Sequence, residues 1–272
     1  MCGGHWRGGV AVCRAAQAQV NVFPIRTANI GFLMMAKRYK IFVINLDRSV
    51  SRWEKMRGRL EALGLPYERI PAVDGKNASD EFLNKYYSAE LNRKKYYACM
   101  SAPEIACYIS HLKACERAVS EDLDYAIILE DDIILEDPFK FVPLALESIT
   151  CDWNYIKLIA PFKKKKIVSR EPVVFEIPVA CSYEKWSHDG KTDSKCLSKS
   201  SNLISASVFF ELVRWENPPA GMQAYAISQQ GSAEFLAKCS KLICPIDILQ
   251  FSHGVAGLFP SFLCSYKNIS ED

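Results

Sequence analysis

The chain has 272 residues, of which 49% are apolar and 24% charged, and its formal net charge is +3. These values are typical of a globular protein, and so small a net charge argues against the strongly basic class of nucleic-acid-binding proteins. The eleven cysteines form no C-x-x-C pair and no Cys/His spacing suited to zinc, so we expect mostly buried, reduced thiols. No apolar run approaches the roughly 20 residues of a membrane helix, which predicts a protein that is soluble or at most peripheral to a membrane.

Residues 1–34 differ from the rest of the chain because they contain no Asp or Glu and are rich in Gly, Ala and Val. We predict a poorly ordered leader, which is either a targeting segment or sequence upstream of a natural start at Met34 or Met35. The remaining residues, 35–272, show no internal repeat and no low-complexity linker. They are therefore predicted to form a single domain.

The first elements after the leader predict a βαβ unit. Residues 39–46 are a β-rich apolar run, an apolar helical period then ends at Gly64, and residues 67–73 form a second short strand. This order predicts a parallel sheet, in which ligands bind beyond the carboxyl ends of the strands. The polar or turn residues predicted at that edge, where a nucleotide would bind, are Asn45, Leu46, Asp47 and Asp74.

A second strand end carries three consecutive acids. Residues 125–129 are uncharged, and Glu130, Asp131 and Asp132 follow directly. Because side chains alternate along a strand, Glu130 and Asp132 are predicted to face one way and Asp131 the other. Two like charges about 5 Å apart repel by roughly 1–3 kcal/mol at a protein surface, and a magnesium or manganese ion held by carboxylate oxygens would remove that repulsion. The alternative is an acidic strand end that only caps a solvated turn.

Other segments supply further candidates. Pro103 opens a helix with Glu104 in its first turn, and His111 within it is expected to hydrogen-bond to a neighbouring side chain. Asp247, after Pro245, is either a structural cap or a catalytic base. The remaining predicted elements are helical structure over 79–97, helices at 138–148 and 229–237, strands at 155–160, 202–210, 224–228 and after His253, and an irregular stretch over 163–201.

Six segments carry a resemblance in the same order along the chain. They are residues 41–48 with Arg52 and Trp53, 67–75, 104–107 with 110–112, 128–132, 224–228 with Gly231, and 245–247. Together they resemble the glycosyltransferases of family 25, which include lipooligosaccharide galactosyltransferases and collagen galactosyltransferases. Two departures from the family pattern are Ala106, where Gly is common, and residues 221–223, which replace the usual Gly-Thr.

The resemblance implies an α/β fold of GT-A type, a Rossmann-like αβα sandwich with a mostly parallel central sheet. It also implies that a hexose, galactose first among the candidates, is moved from a UDP-sugar to an oligosaccharide or lipooligosaccharide acceptor with inversion, in surface glycan biosynthesis. A cytoplasmic location, at or near the inner face of the cytoplasmic membrane, is the matching expectation.

The resemblance also suggests roles for individual residues. Asp132 and Glu130 would hold the divalent cation, manganese or magnesium, as the family's version of the D-x-D site. An acceptor hydroxyl needs a base, for which Asp247 is the first candidate and Glu104 the second. The donor would be bound by Asn45, Leu46, Asp47, Arg52, Asp74, Glu130 and Asp131.

Two other functions compete with glycosyl transfer. A metal-dependent phosphoesterase also uses clustered acids, but such enzymes normally hold two metals with additional His or Asp ligands, and none of the four histidines lies near the acidic strand in sequence. A catalytically inactive paralogue that only binds a nucleotide or carbohydrate would keep the fold without the reaction, since fold does not determine activity.

Overall fold

The computed structural model describes residues 37–95, 98–159, 166–180, 203–216, 221–238 and 255–260. The chain divides into two compact units, a larger one of residues 29–175 and 207–272 and a smaller one of residues 1–28 and 176–206. Only strand ends of the smaller unit, at 176–180 and 203–206, are among the described residues. The predicted leader lies outside the described residues, and the single domain over 35–272 stays a prediction.

The described residues form eight strands, six α-helices and one 3-10 turn. In chain order they are β1 (Tyr39–Asn45), α1 (Val50–Ala62), β2 (Tyr67–Pro71), α2 (Asp80–Asn84), α3 (Ala89–Lys95), α4 (Ala102–Ser120), β3 (Tyr125–Glu130), the 3-10 turn Asp137–Phe141, α5 (Val142–Glu147), β4 (Tyr155–Lys157), β5 (Ile167–Ala180), β6 (Leu203–Trp215), β7 (Ala224–Ser228), α6 (Gln229–Lys238) and β8 (Val255–Pro260).

All eight strands belong to one sheet, in the order β2-β1-β3-β7-β4-β8-β6-β5. The predicted βαβ unit is confirmed, because β1 pairs in parallel with β2 and with β3. The prediction of a mostly parallel sheet is confirmed only in part. β7 is antiparallel to both β3 and β4, and β6 is antiparallel to β8, so the sheet is mixed. The pair of β4 and β8 is parallel.

Helices cover both faces of the sheet, as predicted for an αβα sandwich. On one face Ile41 and Val43 of β1 pack with α1 and α5. On the other face Phe42 and Ile44 pack with α4 and α6. Successive residues of a strand point to opposite faces, so a run that is buried on both sides must be apolar throughout. The residues Ile41 to Ile44 are each at most 7% exposed, which satisfies that condition.

Some element boundaries differ from the sequence predictions. The helical stretch expected over 79–97 consists of two short helices, α2 and α3, separated by a turn. The stretch over 163–201 was expected to be irregular, but it contains β5, a strand of 14 residues. Gly64 ends α1 as predicted, with a φ of +67° that L-residues rarely adopt. None of the described helices is long and apolar enough to cross a membrane.

Candidate functional site

A cavity of about 220 Å³ lies at the carboxyl edge of β1, β2 and β3. The parallel register aligns the three strand ends, since Asn45 pairs with Pro71 and Ile44 pairs with Glu130. The segments that follow β1, β2 and β3 therefore meet beside the amino-terminal half of α4. The side chains around the cavity are Ile44, Leu46, Arg48, Arg52, Ala72, Val73, Asp74, Gly75, Lys76, Pro103, Cys107, Ser110, His111, Glu130, Asp131 and Asp132.

The carboxylate of Asp132 in the cavity has one oxygen that no hydrogen-bond donor of the described residues contacts. Its Oδ1 atom is buried and has no hydrogen-bond partner among the described residues. Burial raises the pKa of Asp132 above its ordinary value, and the neighbouring charges of Glu130 and Asp131 raise it further. A buried carboxylate oxygen without a donor is costly unless something positive binds it.

Asp131, in contrast, is bound by the protein itself. Asn45 Nδ2 donates to Asp131 Oδ2 at 2.5 Å, and Arg52 Nη1 lies 3.4 Å from Asp131 Oδ1. Burial raises the pKa of the Asp131 carboxyl, whereas Asn45 and Arg52 act in the opposite direction. Glu130 and Asp131 therefore point to opposite sides as expected, because Asp131 contacts β1 and α1 while Glu130 contacts α4. The direction expected for Asp132 stays a prediction.

Asn45 and Asp47 are bound to protein groups and do not line the cavity. Asn45 is 2% exposed, and its amide also donates to the carbonyl of Ser49 and accepts from Arg69 Nε at 2.8 Å. Asp47 is exposed and pairs with Arg69 Nη2 at 2.6 Å. These contacts show that Asn45 holds the Asp131 carboxylate in place. That Asn45 and Asp47 bind the sugar donor directly stays a prediction.

The turn after β2 closes the cavity on another side. Arg48 is hydrogen-bonded to Asp74, and this contact, the largest cause, holds the pKa of the Asp74 carboxyl below its usual range. Gly75 lies so close to the start of α4 that an added Cβ would be 2.6 Å from the carbonyl oxygen of Ala102. A side chain at position 75 would therefore push the turn away from the helix, which explains why glycine occupies this position.

His111 connects the acidic strand to β7 through the interior. Its Nε2 atom is 3.3 Å from Glu130 Oε1, its Nδ1 atom is 3.0 Å from the hydroxyl of Tyr225, and the residue is fully buried. With Glu130 as the acceptor, Nε2 would donate to it and the Tyr225 hydroxyl would donate to Nδ1. The prediction that His111 forms a hydrogen bond with a neighbouring side chain is confirmed. However, this histidine lies beside the acidic strand in space although it is distant in sequence.

Glu104 caps a helix in this structure. Its carboxylate accepts from the backbone N–H of Ser101 at 2.7 Å and from the Ser101 hydroxyl, and these bonds lower the pKa of Glu104. The two residues form a capping box at the start of α4. Glu104 does not line the cavity. Asp247 lies outside the described residues.

Sequence reasoning missed Arg48, Cys107 and Ser110, which also line the cavity. Cys107 and His111 are four residues apart, so they share one face of α4, and this spacing was visible in the sequence. Ser110 accepts from the backbone N–H of Val73, which joins α4 to the segment after β2. No sequence pattern predicted that bond, because it depends on the packing of α4 against the sheet.

The acids suit a hard divalent cation. Glu130 and Asp132 offer carboxylate oxygens, one of them lacks a hydrogen-bond donor, and such oxygens are the ligands that magnesium and manganese prefer. Asp131 is less suited to the same ion, since Asn45 and Arg52 already bind it. A larger cleft of about 680 Å³, lined by α1 and residues 133–138, shares Arg52 and Asp131 with the cavity.

Comparison with known proteins gives consistent matches. The family profile described as "Glycosyltransferase family 25 (LPS biosynthesis protein)" matches residues 38–250. A glycosyltransferase 25 family member of Anopheles gambiae is 38% identical over 106 residues, which are 37% of this chain and 17% of the relative. Procollagen galactosyltransferase 2 of Mus musculus is 27% identical over 141 residues, which are 49% of this chain and 22% of the relative.

A third relative has a different description. The probable inactive glycosyltransferase 25 family member 3 of Rattus norvegicus is 26% identical over 182 residues, which are 63% of this chain and 30% of that protein. The chain thus spans less than a third of the length of each of these three relatives. A solved UDP-glucose pyrophosphorylase from Leishmania major aligns over 81% of this chain and 48% of its own at 12% identity, but the TM-score of 0.26 is too low to support an argument.

The family profile covers most of the chain and all three strand ends that form the cavity. The segments that resemble the family in sequence lie in the same range. The chain belongs to glycosyltransferase family 25.

Proposed function

We propose that this chain transfers a hexose from a UDP-sugar to a saccharide acceptor, with a manganese or magnesium ion and with inversion at the anomeric carbon. The observation that carries the proposal is the cavity at the carboxyl edge of β1–β3, which is lined by cationic side chains and by an Asp132 oxygen without a hydrogen-bond partner among the described residues. Family membership supports the transfer of a sugar. The metal, the donor and the stereochemistry belong to the proposal alone.

The charges of the cavity fit a nucleotide diphosphate with its cation. Arg48, Arg52 and Lys76 line the cavity and would neutralise diphosphate oxygens, which arginine can do with paired hydrogen bonds. A divalent cation bound to Asp132 and Glu130 would act as a Lewis acid for the departing diphosphate. Leu46 and Asp74 contribute the edge against which the uridine would bind.

The acceptor hydroxyl needs a base on the side opposite the leaving group, because an alcohol is a weak nucleophile at neutral pH. Asp247 remains our first candidate for this base. Glu104 remains the second, although its carboxylate already accepts two hydrogen bonds from Ser101. A single inverting displacement requires only one such carboxylate on the acceptor side, just as inverting glycosidases use one carboxylate as the base opposite the leaving group.

Galactose is the proposed sugar because a mouse relative is named a procollagen galactosyltransferase. The description of the family profile names LPS biosynthesis, so an oligosaccharide or lipooligosaccharide is the proposed acceptor. A cytoplasmic location, peripheral to the membrane, would suit such an acceptor.

The test measures UDP release from UDP-galactose, UDP-glucose and their N-acetyl forms, with manganese and a panel of saccharide acceptors. We expect UDP-galactose to be turned over, and Asp132→Ala to abolish transfer while the variant remains folded. The matched control is Asp152→Ala, because Asp152 is exposed and outside the cavity. Full turnover by Asp132→Ala would contradict a metal role for that residue. Asp247→Asn should lower the rate and leave UDP binding intact.

A second candidate function is binding without catalysis. The rat relative that aligns over 63% of this chain is described as probably inactive, and that description favours the candidate. Binding of UDP and manganese without turnover of any of the four donors, across the acceptor panel, would support it. Hydrolysis of simple phosphate esters without turnover of sugar nucleotides would instead support the phosphoesterase.

A further inference from the structure

Three side chains of different chemistry converge beside the acidic strand. Cys107 and His111 lie one helical turn apart on α4, and Glu130 ends β3. One ligand atom of each residue, a sulfur, a ring nitrogen and a carboxylate oxygen, lies within 4.8 Å of the other two. Ligands of a tetrahedral ion at about 2.0–2.3 Å from the metal are roughly 3–4 Å apart, so a small side-chain movement would bring all three onto one ion.

The set is suited to a different metal from the one in the proposed function. Thiolate and imidazole ligands select zinc and similar transition metals, whereas magnesium and manganese prefer oxygen ligands alone. One thiolate, one carboxylate and a neutral imidazole also balance a 2+ charge, so no net charge would be left in a partly buried site. We propose that Cys107, His111 and Glu130 form a binding site for a zinc-class transition-metal cation.

The surroundings of His111 provide an independent observation. A metal-ligating histidine normally has its second ring nitrogen fixed by a hydrogen bond, which sets the orientation of the ring. Here Nδ1 of the fully buried His111 is 3.0 Å from the hydroxyl of Tyr225, which is itself fully buried. The ring is therefore held with Nε2 directed at Glu130, the position from which it would bind the ion.

Metal binding has a simple proton balance. In the absence of the ion, the Nε2 hydrogen of His111 is donated to Glu130. When the ion binds, that nitrogen supplies its lone pair, the ring hydrogen moves to Nδ1 and is donated to Tyr225, and the Cys107 thiol releases one proton to solvent. Three protein ligands would leave a fourth position open towards the cavity, which is the arrangement of zinc sites that exchange a water or substrate oxygen.

Glu130 is common to this site and to the proposed manganese site, but the two sites differ in their second residues. Asp132 belongs only to the oxygen site, and Cys107 belongs only to the transition-metal site. The inference does not depend on the proposed function, because it can be tested without any sugar nucleotide. The two proposals can therefore fail separately.

The experiment titrates the reduced, metal-free full chain with Co²⁺ and records the absorption spectrum. We expect a saturable near-ultraviolet band of thiolate-to-cobalt charge transfer. Cys107→Ser should abolish this band, and Cys99→Ser should keep it, because Cys99 is an exposed cysteine that does not line the cavity. Tyr225→Phe keeps the ring and removes only the hydroxyl, so it should weaken the cobalt affinity about 10- to 100-fold.

The same preparations separate the two metal sites. Asp132→Asn should retain the cobalt band and lose manganese binding, measured by electron paramagnetic resonance of free Mn²⁺. Circular dichroism checks that each variant is folded. A band that persists at full intensity in Cys107→Ser would place the cobalt on other cysteines and overturn the inference. Absence of any charge-transfer band in the unmodified chain would also overturn it.

Discussion

Asp132 lies where a carboxylate opposes folding. Its Oδ1 atom is buried without a hydrogen-bond partner in the described part of the chain, and two further acids precede it. Residues that destabilise the native state are typical of functional sites, where a ligand supplies the missing interaction. The stability of the ligand-free protein should therefore improve when this charge is removed.

We predict that Asp132→Asn raises the melting temperature at neutral pH. The rise should be roughly 2–4 °C for each kcal/mol by which the free energy of unfolding increases. The sign follows from the raised pKa of Asp132 in the folded state. Between the ordinary aspartate pKa of about 3.9 and the raised pKa, the folded state binds the Asp132 proton more tightly than the unfolded state does. Raising the pH through this range therefore lowers the free energy of unfolding. The ionised Asp132 therefore lowers the stability of the fold at neutral pH, whereas the protonated Asp132 has little effect on stability at low pH.

Melting curves of both proteins at neutral pH and near pH 4 measure this difference. The advantage of Asp132→Asn should shrink towards the lower pH. A lower melting temperature of the variant at neutral pH would contradict the account, because it would mean that the carboxylate makes a stabilising contact. The prediction concerns stability in the absence of added metal.

Asn45 provides a second prediction at this scale. Asn45→Ala removes the bond to the buried Asp131 and the bond from Arg69, and leaves Asp131 with a weaker set of partners. An unsatisfied buried polar group costs about 1–3 kcal/mol, so the free energy of unfolding should fall by roughly that amount. Urea denaturation measures it. The control Asp47→Ala breaks only an exposed pair with Arg69 and should cost about 1 kcal/mol or less. Equal losses in both variants would contradict a supporting role of Asn45.

The amino-terminal half of α4 forms one wall of the cavity, and the capping box at its start fixes that wall. Ser101 and Glu104 satisfy each other's backbone groups, and Gly75 approaches the helix directly at Ala102. The helix then places Cys107, Ser110 and His111 along the cavity. Local sequence at the helix start therefore affects the geometry of side chains one and two turns later.

We predict that Ser101→Ala and Glu104→Gln each lower the free energy of unfolding, the former by about 1 kcal/mol, as is typical for the loss of a capping residue. Thermal or urea denaturation measures this. If capping is the whole role of Glu104, the two variants should lose transfer activity in similar proportion. A far larger loss of activity in Glu104→Gln than in Ser101→Ala would instead support Glu104 as the base.

Several elements could be predicted from sequence, and the reasons are physical. β1 and β3 are continuous apolar runs because they are buried on both faces, and α1 repeats its apolar residues at helical spacing, so all three were predicted. The direction of β7 was not predictable, because a short, mostly apolar strand looks the same in parallel and antiparallel pairing. β5 was missed because Arg170, Glu171 and Pro172 interrupt its apolar residues in the sequence.

The candidate site was likewise predictable from the sequence only in part. Strand-end residues such as Leu46, Asp74 and Asp132 were predicted to lie together, because parallel strands end at one edge of a sheet, and they do. The contact between His111 and Glu130 was not predicted, since it depends on how α4 packs against β3. The bond from the Asn45 amide to Asp131 was not predicted either, because it depends on how β1 packs beside the segment after β3. The order of the strands along the chain thus predicted where these residues lie. Tertiary packing determines which way their side chains point.

At the scale of the whole molecule, ligand binding should be measurable as stability. A ligand that binds only the folded state at about 100 times its Kd adds about 2.7 kcal/mol. At roughly 2–4 °C for each kcal/mol, UDP with manganese should raise the melting temperature by roughly 5–10 °C. Thermal shift assays with UDP alone, manganese alone and both measure this. Asp132→Ala should lose the part of the shift that requires manganese, and an unchanged shift in that variant would contradict metal binding at the triplet.

The position of β7 between β3 and β4 has a consequence for how the chain is synthesised. β1, β2 and β3 are complete once Glu130 has left the ribosome, but the partner of the other edge of β3 begins only at Ala224. Since translation adds about 5–20 residues per second, the apolar edge of β3 stays unpaired in the nascent chain for seconds. Unpaired apolar edges invite pairing with other chains, so this interval is when the growing protein is most exposed to aggregation and most dependent on a chaperone.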